Sequence, residues 1–476
     1  MFINICCCIL LILIVKARYP VLCAVPPSPD LVKKLYQEYK MLKKKNKRLT
    51  PLQFLLGKGL VRERIPGLDD NLKVDPERPQ NLEANLIQLP RFKPRGDTNT
   101  LFLLVDFEDK PHSQSPERFK TLLFSQGNTN YDGKSLNEYY NEVSYGQVNI
   151  IGHVSDWMRM PKPYSYYVNG RNGLSHYPTN AQRMVEDAVN LAKQQGGIDW
   201  DRFDVDGDGM IDALSVIHAG RGAEQTGPGS GEIWSHKWNM TSRIPVTPNT
   251  HAFLYLTVPE DARLGVIAHE IGHLVFGWPD LYDAEPNGIR VTEGLGSWCL
   301  MAAGSWNNRG NTPGFPCAWC RHVQGWTNSI NIEKLQNVII RNAEESRDIY
   351  RLWTKGQNSQ EYFMLENRQK VGFDKNLPGD GLLIYQIDEA MPNNYNEDHL
   401  AVGLMQADGR RDLQEIGGFF RNQGDANDPY PGTTRNYRFG SNTKPNSKSF
   451  AGKNTGVFVQ LLDKQSSKAM EVRMRV

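Results

Sequence analysis

Residues 268–283 read AHEIGHLVFGWPDLYD and place His269, Glu270 and His273 in the order H-E-x-x-H. On an α-helix, side chains four positions apart lie one above the other, so the two imidazoles can face a single metal ion. Glu270 stands one residue further round. That offset lets its carboxylate reach a water beside the ion without becoming a ligand, which is what a general base for peptide-bond hydrolysis needs. Zn²⁺ suits two imidazoles of this spacing when a third protein ligand is supplied and a fourth position stays open. Leu264, Ile267 and Ala268, continued by Ile271, Leu274 and Val275, form the apolar stripe that seats such a helix in a core. Gly277 ends the helix and Pro279 prevents it from resuming.

The third ligand must come from chain that turns back sharply after the helix. Gly277 permits that turn, and Asp280 follows it closely enough to complete a His-His-Asp set. Zinc peptidases of the metzincin kind place a glycine three residues after the second histidine and the ligand three beyond it. Here Gly277 lies four after His273, one residue more than that spacing. Asp283 and Glu293 therefore stand beside Asp280 as alternatives, a downstream carboxylate giving the His-His-Glu set of the thermolysin type. Further on, residues 296–307 read GSWCLMAAGSWN, where Met301 is placed to form a methionine turn beneath the zinc.

These stretches, together with NEYYNEVSYGQVNIIG, FDVDGDGMIDALSVIHAG and LPGDGLLIYQIDE, resemble the immune inhibitor A family of secreted metallopeptidases, peptidase family M6. The matching segments run from about residue 101 to the C-terminus. The resemblance implies an α/β (α+β), zincin-like catalytic domain, a catalytic Zn²⁺, protein or peptide substrates, and synthesis as a zymogen that an activating protease must cut.

The chain has 476 residues, enough to bury a sizeable core and to hold more than one domain. Its formal net charge of +2 gives no argument for nucleic acid or an anionic membrane as partner. Residues 1–24 contain an apolar run, 5–15, shorter than the roughly 20 residues a membrane span requires. A small residue, Ala24, closes the segment, so it reads as a cleaved secretory signal, with a signal anchor as the alternative, and the mature chain is expected outside the cell without stable membrane insertion. Cys6, Cys7, Cys8 and Cys23 would leave with the signal. Cys299, Cys317 and Cys320 remain, an odd number that suggests one disulfide and one spare thiol. Asn239-Met240-Thr241 has the form of an N-glycosylation site.

Residues 25–95 differ in composition, opening with the basic, helix-prone LVKKLYQEYKMLKKKNKR. A solvated helix is the plain reading; the family resemblance favours a propeptide, released by cleavage after a basic residue such as Arg95. The catalytic domain is expected over residues 96–335. It begins with TLFLLVDF at 100–107, an apolar run with the length of a buried strand. Ser135, with Glu138 three residues on, has capping-box spacing for a helix. A strand is expected over 148–157, a helix over 179–195 stopped by Gly196-Gly197, and strands over 213–218 and 252–258. This alternation implies an α/β sheet backing the zinc helix, with a further helix over 313–326.

Between the 179–195 helix and the 213–218 strand, Asp204, Asp206 and Asp208 stand at alternate positions with glycine for a sharp turn and Asp212 follows, as in a loop that wraps a hard cation in oxygen. The twelfth position is Ser215 where an EF-hand has glutamate, so a shorter loop closed by Asp212 is expected, with Ca²⁺ in a structural role or with no ion. His218 and His236 are candidates for the rim of the cleft. From 336 to 476, short apolar runs divided by Gly, Asn, Asp and Pro suit an antiparallel β-rich region; Asp425 and Asp428 there read as turn residues before cation ligands. The whole reads as a secreted zinc endopeptidase. An inactive family member, or a calcium-dependent extracellular binding module, are the readings from other classes.

Overall fold

The computed structural model describes residues 25–60, 65, 67–69, 92–283, 292–415 and 422–476. The expected leader at 1–24, with its four cysteines, lies outside these. The basic segment forms α1 (Pro29–Lys45), where the Ser28 hydroxyl accepts the Leu31 N–H and Lys43, Lys44 and Lys45 fill the last turn, each favourable at its own pole of the helix dipole. This helix is more than a solvated rod: Leu31, Val32 and Leu35 are buried. A capping box between Thr50 and Gln53 starts α2 (Pro51–Lys58).

The first sheet opens with β1 (Gly96–Asp106). Then come α3 (Pro116–Phe124), α4 (Leu136–Val143) with the expected Ser135–Glu138 capping box, and β2 (Val148–Arg159). After α5 (Tyr164–Val168), α6 (Ala181–Gln195) starts at Asn180, whose side chain accepts the Arg183 N–H, and stops at Gly196. β3 (Leu214–His218), α7 (Ala223–Thr226), β4 (His236–Pro245) and β5 (His251–Pro259) lead into α8 (Leu264–Leu274), the helix that carries the H-E-x-x-H residues.

The strand order is β2-β1-β3-β5-β4. The first four are parallel and β4 runs antiparallel to β5 at the edge. Central parallel strands are covered on both faces, which is why β1 reads as an unbroken apolar run; Leu101 to Val105 are fully buried.

The helix expected over 313–326 is shorter, α9 (Ala318–Val323). Pro313 and Pro316 lack the N–H groups a helix interior needs, so it can begin only after them. Beyond it lie β6 (Asn328–Ile332), β7 (Gln336–Arg341), β8 (Asp348–Leu352), β9 (Glu361–Arg368), β10 (Gly381–Asp388), β11 (Val402–Leu404), β12 (Arg438–Phe439), β13 (Phe458–Leu461) and β14 (Ala469–Arg475). They form a sheet ordered β11-β10-β9-β8-β6 and another ordered β12-β13-β14-β7. Every pairing is antiparallel except β6 with β8.

Alternation along the strands decides what each face covers. Tyr362, Met364, Leu383 and Tyr385 point into the core shared with the β2-β1-β3-β5-β4 sheet, whereas Phe363, Leu365, Leu382 and Ile384 face Val459, Met470 and Val472 of the β12-β13-β14-β7 sheet. Charge bridges the first boundary. Arg368 Nη2 donates to Asp374 Oδ1 (2.7 Å), Arg368 Nη1 to the Trp298 carbonyl (3.2 Å), and Arg321 pairs with Glu366, with both arginines fully buried. Breaking such a pair on one side leaves a buried charge uncompensated. No described helix is long and apolar enough to cross a membrane.

Candidate metal centre

Every residue of α8 is buried. His269 Nδ1 lies 2.9 Å from the Leu300 carbonyl and His273 Nδ1 lies 2.6 Å from the Trp278 carbonyl. A carbonyl only accepts, so each Nδ1 carries the proton and each Nε2 keeps its lone pair. Those two Nε2 atoms are 3.1 Å apart, and Asp280 Oδ1 lies 3.1 Å from one and 3.2 Å from the other. One proton could be shared by one such pair. One cation can satisfy three such atoms gathered at one point, and the donor set of two imidazoles and a carboxylate fits Zn²⁺.

Asp280 reaches the imidazoles through the chain reversal after α8. Gly277 adopts φ +63°, and the N–H of Trp278 returns to the carbonyl of Gly272 at 3.0 Å, closing the helix end. The returning strand is then fixed by Leu281 N–H donating to the Met301 carbonyl, 2.8 Å. Met301 itself lies under the helix: a Cβ placed on Gly272 would come within 2.6 Å of its Sδ. The extra residue relative to metzincin spacing is taken up by the Val275–Gly277 turn, since the helix proper stops at Leu274. Glu293 and Asp283 are not among the groups that gather at the imidazoles. The Glu293 N–H donates to the Leu413 carbonyl, its Oε2 accepts from Gln423 (3.3 Å), and burial pushes its carboxyl up to about 8. The Asp283 N–H pairs with the Thr292 carbonyl.

Glu270 is fully buried and neither of its oxygens has a hydrogen-bond partner. Burial first, then the carboxylates of Asp69, Asp280 and Glu224, push its carboxyl well above the usual range, against the opposing pull of Lys237. The unpartnered oxygens of Glu270, one residue from His269, are placed to accept a proton beside the imidazoles.

Residues 97–327 match the family model described as immune inhibitor A peptidase M6, catalytic domain. This stretch belongs to the M6 peptidases. Similar proteins are the pre-pro-metalloprotease PrtV of Vibrio cholerae serotype O1, 30% identical over 297 residues, covering 52% of this chain and 32% of PrtV. Immune inhibitor A of Bacillus thuringiensis subsp. alesti is 30% identical over 262 residues, 45% of this chain and 37% of that protein. The chain thus matches about a third of the length of these relatives.

Elsewhere in the M6 domain, carboxylate oxygens of Asp204, Asp206 and Asp212 lie within 4.8 Å of one another. Asp208 is outside that gathering; its Oδ1 accepts the Met210 N–H at 3.0 Å and holds the turn. Burial, then the charges of Asp206 and Asp208, push Asp212 up to about 7, although the Val205 N–H supports its ionised form. Ser215 is buried within β3 and cannot close the loop.

His218 and His236 are not exposed at a rim in the intact chain. Both are fully buried in the sheet, His218 against the Ala219 carbonyl and His236 between the Trp234 carbonyl and Tyr255. The disulfide expectation fails: the three thiols are free and buried, with Cys317 Sγ and Cys320 Sγ 3.7 Å apart, far beyond a bond of about 2.05 Å. Asn239 is 8% exposed and its amide donates to the Met240 carbonyl, so the folded chain does not display it at the surface. Asp428 accepts the Trp298 indole N–H and the Asp425 N–H, a turn role.

Sequence reasoning missed Asp69. A carboxylate oxygen of this residue, one of Glu270 and a ring nitrogen of His273 lie within 4.8 Å of one another. No spacing in Gly67-Leu68-Asp69 relates it to a helix some two hundred residues on, so only folding could reveal it.

Proposed function

We propose that this chain is a secreted zinc-dependent endopeptidase, made as a zymogen, that hydrolyses peptide bonds in extracellular proteins. The observation that carries this reading is the convergence of His269 Nε2, His273 Nε2 and Asp280 Oδ1 on one point beside the unpartnered carboxylate of Glu270. Bound zinc would polarise the scissile carbonyl and lower the pKa of water towards about 7. Glu270 takes a proton from the attacking water at a carboxylate oxygen and hands it to the leaving amine. The Leu300 and Trp278 carbonyls fix the tautomer and orientation of the two imidazoles. A peptide can lie extended along β4, the edge strand of the sheet, once the segment that precedes the M6 domain has left it. The Asp204–Asp212 loop serves as a structural Ca²⁺ site that pins the start of β3.

The test is metal content together with hydrolysis. The purified chain should hold one zinc, lose it in His273→Ala, and, once the segment before residue 96 is cut away, digest casein in a way that a chelator stops and added zinc restores. Casein digestion unaffected by full zinc removal would refute the proposal.

A further inference from the structure

We propose that Asp69, on the segment preceding the M6 domain, is a further ligand for the cation held by His269, His273 and Asp280, and that it keeps the intact chain latent. The inference rests on the zinc reading above. It adds a specific atom on a specific segment.

Asp69 is 3% exposed, and one of its carboxylate oxygens gathers with one of Glu270 and a ring nitrogen of His273, the residue this group shares with the His269–His273–Asp280 set. Two adjoining groups that share His273 thus bring three buried carboxylates, of Asp69, Glu270 and Asp280, near the imidazoles, and the charges of Asp69 and Asp280 both act on Glu270. Burying like charges together is costly unless a cation balances them, and a divalent ion does so for two of the three.

The backbone of the segment is docked so as to hold Asp69 there. Its N–H donates to the Lys237 carbonyl at 3.0 Å, and the Lys237 N–H donates to Asp69 Oδ1 at 2.8 Å. The Lys237 ammonium donates to the Gly67 carbonyl at 3.1 Å, and Leu68 is buried in the main core. Lys237 belongs to β4, so the segment uses the same strand edge that a substrate main chain requires. A second attachment lies upstream. The Trp234 indole donates to the Val25 carbonyl (3.0 Å), the Trp306 indole to the Pro26 carbonyl (2.5 Å), and the Ser28 N–H to the Glu224 carbonyl (2.8 Å). A carboxylate on the ion fills a position that hydrolysis needs open, and its backbone blocks the edge beside it. Cutting the chain at or before Arg95 frees both.

The test compares the full-length wild type with Asp69→Asn. Asp69 has φ +52°, a region asparagine tolerates well, and an amide oxygen can still accept from Lys237, so the variant keeps the local fold; a thermal melt checks this. Both proteins are loaded with Co²⁺ in place of zinc and their visible d–d spectra recorded. Zinc release to a chelator and initial rates on a quenched peptide are measured before and after the leading segment is cut away. The expected result is a changed Co²⁺ spectrum, zinc release at least about tenfold faster and a gain in peptidase rate of similar size for intact Asp69→Asn, with all differences vanishing after cleavage. Identical spectra and release rates in the two intact proteins, with one zinc per chain that His273→Ala removes, would overturn the role of Asp69 and leave the zinc site standing. Absence of stoichiometric zinc from both would overturn the two proposals together.

Discussion

Replacing Glu270 by glutamine separates a chemical role from a structural one, because the two roles predict opposite signs for stability. Glutamine has nearly the same shape and cannot take a proton from water. General-base catalysis contributes about 10²–10⁴ in rate, so kcat/KM should fall by that factor, roughly 3–5 kcal/mol in the barrier. The fold should not suffer. Glu270 is fully buried, neither oxygen is bonded, and burial together with Asp69, Asp280 and Glu224 disfavours its ionised form. Replacing a carboxyl biased toward its neutral form by an amide of the same shape therefore leaves the melting temperature of the metal-free chain unchanged or raises it. Zinc content should stay at one, since the imidazoles keep their carbonyl partners at Leu300 and Trp278. The assays are peptide turnover after the segment before residue 96 is cut away, metal analysis, and calorimetry with and without chelator. His273→Ala, which removes a ligand atom, is the control that should lose zinc and activity together. Turnover within tenfold of wild type would refute the base assignment; so would lost turnover accompanied by lost zinc and a lower melting temperature.

Gly272→Ala drives a Cβ to 2.6 Å from Met301 Sδ and 3.1 Å from Trp278 Cε3, so it should cost about 1–3 kcal/mol by calorimetry. Combining it with Met301→Ala should cost less than the sum of the two single changes, and strict additivity would argue against Met301 supporting the helix. For Glu293, whose folded carboxyl is raised to about 8, stability is lost as pH climbs from the unfolded value near 4 through 8. Glu293→Gln should thus be more stable than wild type at pH 9, on the order of a few kcal/mol, and equal to it near pH 4; urea melts at the two pH values decide. Calcium at about a hundred times its Kd should stabilise the wild type by about 2.7 kcal/mol, and Asp212→Asn should abolish this increment. Equal melting temperatures in calcium and in chelator would mean that the loop is only a turn.

Local features were legible in the chain itself because they depend on neighbours a few residues away. The period of four between His269 and His273, the Ser135–Glu138 cap, the apolar run of β1 and the stop of α6 at Gly196 are all of this kind. The family resemblance extended that reading to a domain and its chemistry. Sequence alone left open which carboxylate joins the two imidazoles, since Asp280, Asp283 and Glu293 were all within reach of a flexible reversal. Folding chose among them through a turn at Gly277 and a pairing with Met301, which no local pattern encodes. The unlinked thiols, the burial of Asn239 and the arrival of Asp69 at Glu270 have the same origin. Asp69 and Lys237 are 168 residues apart in sequence, and contacts at such separations follow from how whole layers pack, not from the residues adjacent to either partner.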